Sequence, residues 1–182
     1  MEQQLLVGSS LAAQIDVWGP EWSVYSYRGK INLYRLAQDL RYRRKSYKRI
    51  TIVAGNDIIP SKKHVGQYGF HHCLDVYNER ETMEKFQSLY SILAFYTKEI
   101  LIVQPPPRCQ PTYNHQTTCL AYSVSVHRRF RDLINSIQRS KRTILGVVSC
   151  DVYAPRYAPL TADDGIHFSH TSARNVSRFL SR

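Results

Sequence analysis

Cysteine is scarce here: Cys73, Cys109, Cys119 and Cys150 are the only four among 182 residues, and no two form a Cys-x-x-Cys pair. That excludes a disulfide scaffold and paired-thiol zinc patterns. Cys109 and Cys119 share one loop-like stretch and would pair only in an oxidising compartment; the reading adopted is reduced thiols in an intracellular, cytoplasmic protein. Long hydrophobic runs are missing too. The longest, such as Ile100–Val103 and Ile144–Val148, have the length of buried strands, far below the roughly 18 residues that cross a bilayer, so no transmembrane segment is expected. The opening Met-Glu-Gln-Gln carries no basic region ahead of its short apolar run, which argues against a secretory signal. Gly-x-Gly-x-x-Gly and Walker patterns are also absent, which weighs against a flavodoxin-like nucleotide binder.

Acidic residues are the last shortage. Fourteen Asp and Glu face 25 Lys and Arg, a formal charge of +11. Twelve of those cations fall in two segments, six in Arg41–Arg49 and six in Arg128–Arg142. Such clustering serves either a solvated helix face or contact with phosphate polyanions. The candidates for polyanion contact are Arg41, Arg43, Arg44, Lys45, Lys48 and Arg49. No RNP pattern, paired Cys/His motif or clear helix-turn-helix accompanies them. Tyr27, Tyr34, Tyr42 and Tyr47 are interleaved with these basic residues; they suit stacking on bases or packing between sheet and helix equally well.

What is present reads as a folded core. The chain is 43% hydrophobic and 21% charged, and its length suits one domain over residues 1–182. Short apolar runs at Leu5–Val7, Trp22–Tyr27, Ile50–Ala54, Ile100–Val103 and Ile144–Val148 read as strands. Helical spacing recurs at Leu33, Leu36, Ala37 and Leu40, at Met83, Phe86, Tyr90 and Leu93, and at Val126, Phe130, Leu133, Ile134 and Ile137. Ser172–Leu180 closes the chain as a further helical segment. Strands alternating with helices predict an α/β, three-layer α/β/α architecture with a mostly parallel sheet of about five strands. In such sheets ligands sit at the carboxyl ends of the strands. Gly8-Ser9-Ser10 follows the first strand, Gly55-Asn56-Asp57 the third, and Asp164-Gly165-Ile166-His167 the last.

Each of these motifs has an ordinary explanation as a turn or cap. Each also has a chemical one. Ser10 becomes a nucleophile if a base removes its proton. Histidine is the side chain suited to a general base, and Asp164, three residues before His167, can hold one of its ring nitrogens while the other faces the serine. The Asn56 amide and the N–H of Gly29 can donate to a developing oxyanion. His64, His71, His72 and Cys73 match no familiar zinc spacing and read as a loop lining the cleft.

The order Gly-x-Ser-Leu near the start, a glycine before the first helix, Gly-Asn-Asp after a strand and Asp-x-x-His near the end resembles the SGNH, or GDSL-type, hydrolases. The resemblance runs from Leu5 to the last residues. It implies a flavodoxin-like fold and a serine esterase acting on short-chain or acetyl esters, with no cofactor. By position, Ser10, His167 and Asp164 would form the triad, and Ser10 N–H, Gly29 and Asn56 the oxyanion hole. One departure stands out: the family usually has Asp between the Gly and the nucleophile, and this chain has Ser9. Gly-Ser-Ser therefore offers two hydroxyls, and the match to Gly-x-Ser-Leu favours Ser10. The basic composition also resembles SGNH-like domains of mobile-element and viral proteins. That implies a rival reading, a binding module held on RNA or anionic membrane with weak or lost catalysis.

Overall fold

The structure is a computed structural model that describes residues 3–54, 62–66, 69–73, 79–106, 128–139, 141, 143–164 and 166–181. Five strands, β1 (Gln4–Gly8), β2 (Trp22–Ser26), β3 (Arg49–Val53), β6 (Ile100–Val103) and β7 (Ile144–Val148), form a sheet in the order β2-β1-β3-β6-β7. Every pairing in it is parallel. A separate antiparallel pair, β4 (Lys62–Gly66) and β5 (Gly69–Cys73), sets His64 opposite His71. The loop expected over His64–Cys73 is therefore corrected to two paired strands over its described residues. Polar and histidine-rich, they carry little of the apolar alternation by which a strand is recognised.

Side chains alternate across a strand, and the sheet uses both faces. Leu5, Val7, Ile50, Ile52, Ile100 and Ile102 pack on one side under helices α1 (Leu33–Arg43), α2 (Glu79–Leu93) and α3, which covers residues 128–138. Leu6, Val53, Val103 and Val148 pack on the other side under a 3-10 turn (Ala12–Gln14), α4 (Cys150–Tyr153) and α5 (His170–Leu180). This is the three-layer arrangement that alternating strands and helices imply.

Local signals set the helix ends. The Asn32 side chain caps α1 by accepting from Arg35 N–H, and Arg44 ends it in a left-handed conformation (φ 51°). Only Leu36 and Leu40 of that helix are fully buried, and Leu33 is exposed. The Ser169 hydroxyl accepts from Ser172 N–H, so α5 begins two residues earlier than the apolar spacing predicts. The tyrosine series divides: Tyr27 and Tyr47 join the core, whereas Tyr34 and Tyr42 face outward.

Because β2 and β3 run parallel, α1 between them must travel back from the carboxyl edge of the sheet to the amino edge. The basic segment that ends α1 therefore lies at the edge opposite Ser10. Lys48 N–H donating to Gln3 O and Tyr47 N–H donating to Tyr96 O fasten it there.

Candidate active site

The turn after β1 is built around a glycine. A Cβ on Gly8 would sit 2.0 Å from the Val53 carbonyl oxygen and 2.5 Å from the Ala12 Cβ, so no larger residue fits without movement. The chain thus crosses close over the end of β3 and enters the 3-10 turn directly. Ser9 N–H donates to Val53 O (3.3 Å), and the buried Ser9 hydroxyl oxygen accepts from Leu11 N–H (3.4 Å). Ser9 is thereby part of the turn. Ser10 is half-buried, and its hydroxyl takes no part in the bonds that fix Ser9 in the turn.

The partner of that hydroxyl comes from the far end of the chain. His167 Nε2 lies 3.0 Å from Ser10 Oγ, across 157 positions of sequence. Its other nitrogen, Nδ1, lies 2.5 Å from Asp164 Oδ2. A carboxylate can only accept, so Nδ1 carries a proton; in the neutral imidazole Nε2 is then the acceptor, and the Ser10 O–H donates to it. The second carboxylate oxygen, Asp164 Oδ1, accepts from Ile166 N–H (2.9 Å) and His167 N–H (3.0 Å). Partial burial alone would raise the Asp164 pKa, but these N–H groups and the imidazole outweigh it, and the net shift is downward. The carboxylate is thus both oriented and kept ionised.

The structure therefore brings together three of the five residues singled out in the sequence. Gly29 lies three residues beyond β2, whose last residue, Ser26, pairs with Gly8, so Gly29 and Ser10 stand in loops leaving adjacent strands at one edge. Its φ of +79° calls for glycine, and the space where a Cβ would point is open. Asn56, and with it Gly55-Asn56-Asp57, lies outside the described residues, as do Cys109 and Cys119. Arg41, Arg43, Arg44, Lys45 and Lys48 are exposed at the opposite edge, and Arg49 is half-buried in an ion pair with Glu99 (3.3 Å).

Reading the sequence missed a polar network at the ends of β6 and β7. The buried Gln104 accepts from Cys150 N–H at Oε1 (3.2 Å) and from the Tyr153 hydroxyl at its backbone oxygen (2.8 Å). Cys150 Sγ lies 3.1 Å from that hydroxyl. Burial pushes the Cys150 thiol up to about 11, so it is neutral at physiological pH and no rival to Ser10 as a nucleophile. The one available signal was a glutamine placed directly between an apolar strand and three prolines.

No protein-family model and no curated protein matches this sequence. In three dimensions, a carbohydrate acetylesterase family member from Sinorhizobium meliloti is similar over 100% of this chain and 96% of its own, at 18% identity and a TM-score of 0.63. A GDSL-like lipase from Bacteroides thetaiotaomicron matches 98% of this chain and 85% of its own, at 14% identity and a TM-score of 0.59. An acetyl xylan esterase from Geobacillus stearothermophilus matches 98% and 93%, at 16% identity and a TM-score of 0.53. At these identities the likeness concerns architecture, and the fold is that of the SGNH, or GDSL-type, hydrolases.

Proposed function

We propose that this protein is a serine esterase with Ser10 as nucleophile, His167 as base and Asp164 as the group that orients and charges the base. The observation that carries the reading is the continuous bond path from Ser10 Oγ through the imidazole to Asp164. In the first half-reaction His167 Nε2 takes the Ser10 proton as Oγ bonds to the ester carbonyl carbon. The tetrahedral oxyanion collapses, and His167 gives its proton to the departing alkoxide, which leaves as the alcohol. Water, deprotonated by the same imidazole, then hydrolyses the acyl-enzyme and releases the acid. Ser10 N–H, Gly29 N–H and the Asn56 amide are the proposed donors to the oxyanion. No step requires a metal or organic cofactor.

Short acyl groups, acetyl among them, are the proposed substrates. In support, two of the similar structures are described as acetylesterases. A panel of p-nitrophenyl esters run on wild type and Ser10→Ala tests the reading. Hydrolysis should fall by more than about a thousandfold in the variant, while Ser9→Ala keeps a substantial fraction. Loss in Ser9→Ala instead would shift the nucleophile by one residue; loss in neither would sink the mechanism.

We also propose that the exposed cations ending α1 bind polyanions, RNA or an anionic surface, independently of the ester chemistry. Their placement at the edge away from Ser10 favours two separate roles.

A further inference from the structure

The loop that carries His167 has one side paired and one side bare. Phe168 forms an antiparallel bridge with Thr161, flanked by Ala162 N–H donating to His167 O (2.8 Å) and Ser169 N–H donating to Leu160 O (2.9 Å). In that geometry the N–H and C=O of Phe168 itself point the other way, as they do on an edge strand. Among the described residues no strand meets them. Instead, the Gln14 side chain fills the place of one: its Nε2 donates to Phe168 O (3.0 Å), and its Oε1 accepts from Phe168 N–H (2.9 Å).

Gln14 is the last residue of the 3-10 turn that begins just after Ser10, and its own N–H donates to Leu11 O (3.1 Å). The nucleophile's turn is therefore fastened directly to the backbone of the residue following the base. The ring of Phe168 is buried and edge-on to Tyr153, with centroids 5.3 Å apart, so the clasped residue is also fixed from its side-chain end. Asp164 governs how the imidazole is turned but not how far its backbone stands from Ser10, because Asp164 and His167 travel on the same loop. A bond from Asp16 N–H to Ser177 Oγ (2.9 Å) also ties this region to α5, yet it does not touch the loop. We infer that Gln14 is a positioning residue whose two-point clasp on Phe168 sets the distance between His167 Nε2 and Ser10 Oγ.

The inference rests on the esterase reading for its kinetic consequence but not for its geometry. A displacement of about 1 Å in a reacting pair can lower the rate by about a hundredfold. Gln14→Ala should therefore lower kcat on p-nitrophenyl acetate by about 30- to 100-fold, with KM changed by less than about twofold, since substrate binding does not use the clasp. Gln14→Glu keeps the acceptor but sets a second oxygen against Phe168 O. Protonating the carboxyl restores a donor there. Its kcat relative to wild type should consequently rise as the pH is lowered through the range in which this carboxyl gains its proton, a range that Arg174, Arg178 and a protonated His170 push downward and Asp16 pushes upward from the same groove. A ratio that stays flat across that range would count against the clasp.

The proton NMR resonance of His167 Nδ1–H reports the geometry without any substrate. It should shift or broaden in Gln14→Ala, with faster hydrogen exchange at Phe168 N–H. If wild type hydrolyses the ester through Ser10 and a folded Gln14→Ala keeps full kcat, the clasp has no positioning role. If wild type shows no hydrolysis, the esterase reading fails separately. The NMR arm then decides alone, and an unmoved His167 resonance overturns the inference.

Discussion

At the carboxyl edge of the sheet, the polar side chains of the site are few, partly buried and each committed to a named partner: Ser10 to His167, His167 to Asp164, Gln14 to Phe168. At the amino edge they are many, cationic and mostly exposed, from Arg41 to Lys48, with Arg49 half-buried against Glu99. The difference matches the two roles proposed for these edges. Proton transfer needs heavy atoms within hydrogen-bond reach and a fixed tautomer. Attraction to a polyanion needs only density of charge, and long exposed side chains supply that without a fixed arrangement. One edge should therefore be sensitive to single atoms, and the other tolerant of everything except loss of charge.

The sharpest way to break this contrast is Asp164→Asn. The amide can still accept from the backbone at one atom, but its NH2 would face Nδ1 and favour the wrong ring tautomer. A loss of about ten-thousandfold in kcat is expected in a folded protein. A small loss would mean that the carboxylate is only a turn former. Next is Asn56→Ala, expected to lower kcat by about a hundred- to a thousandfold, with KM much less affected. Full kcat in that variant would leave the oxyanion to backbone donors alone.

The amino edge is probed by replacing Arg43, Arg44 and Lys45 together with Gln. Affinity for single-stranded RNA should drop and its salt dependence flatten, because fewer counterions are released. Turnover of p-nitrophenyl acetate should stay as it was. RNA binding that is undetectable at low salt before any substitution would leave these cations as a solvated face. The smallest effect belongs to Arg44→Gly. Arg44 ends α1 with a φ of 51°, where a side chain costs about 1–2 kcal/mol, partly offset by the freer unfolded chain that glycine creates. A rise in Tm of about 2 °C is expected by calorimetry; a fall would show that the capping arginine contributes more through its side chain than its backbone costs.

Much of the layer arrangement was legible because it rests on periodicity. Ile50, Ile52, Leu36, Leu40, Phe86 and Ile134 recur at the spacings that two faces of a sheet and three covering helices require, and they are buried. Ser10, Asp164 and His167 were legible only from their order along the chain, since each short motif alone reads equally well as a turn or cap. What stayed hidden depends on contacts between distant positions. Nothing near Gln14 marks it as the partner of Phe168, 154 positions away. Gln104 looks like any polar residue ending a strand until Cys150 and Tyr153 are brought to it. The paired strands at 62–66 and 69–73 escaped notice because they lack an apolar face, and the early start of α5 because a cap, not a hydrophobic stripe, decides it.

The 157 positions separating Ser10 from its base also have a consequence for synthesis. During translation the serine emerges well before His167 and the helix that packs behind it, with Val176 and Leu180 in the core. A growing or prematurely terminated chain therefore carries a hydroxyl with nothing to take its proton, and it is chemically silent. On the proposed mechanism Ser10 gains its base only when both segments have been made and have docked on the same sheet, so ester hydrolysis would report, chain by chain, on that docking.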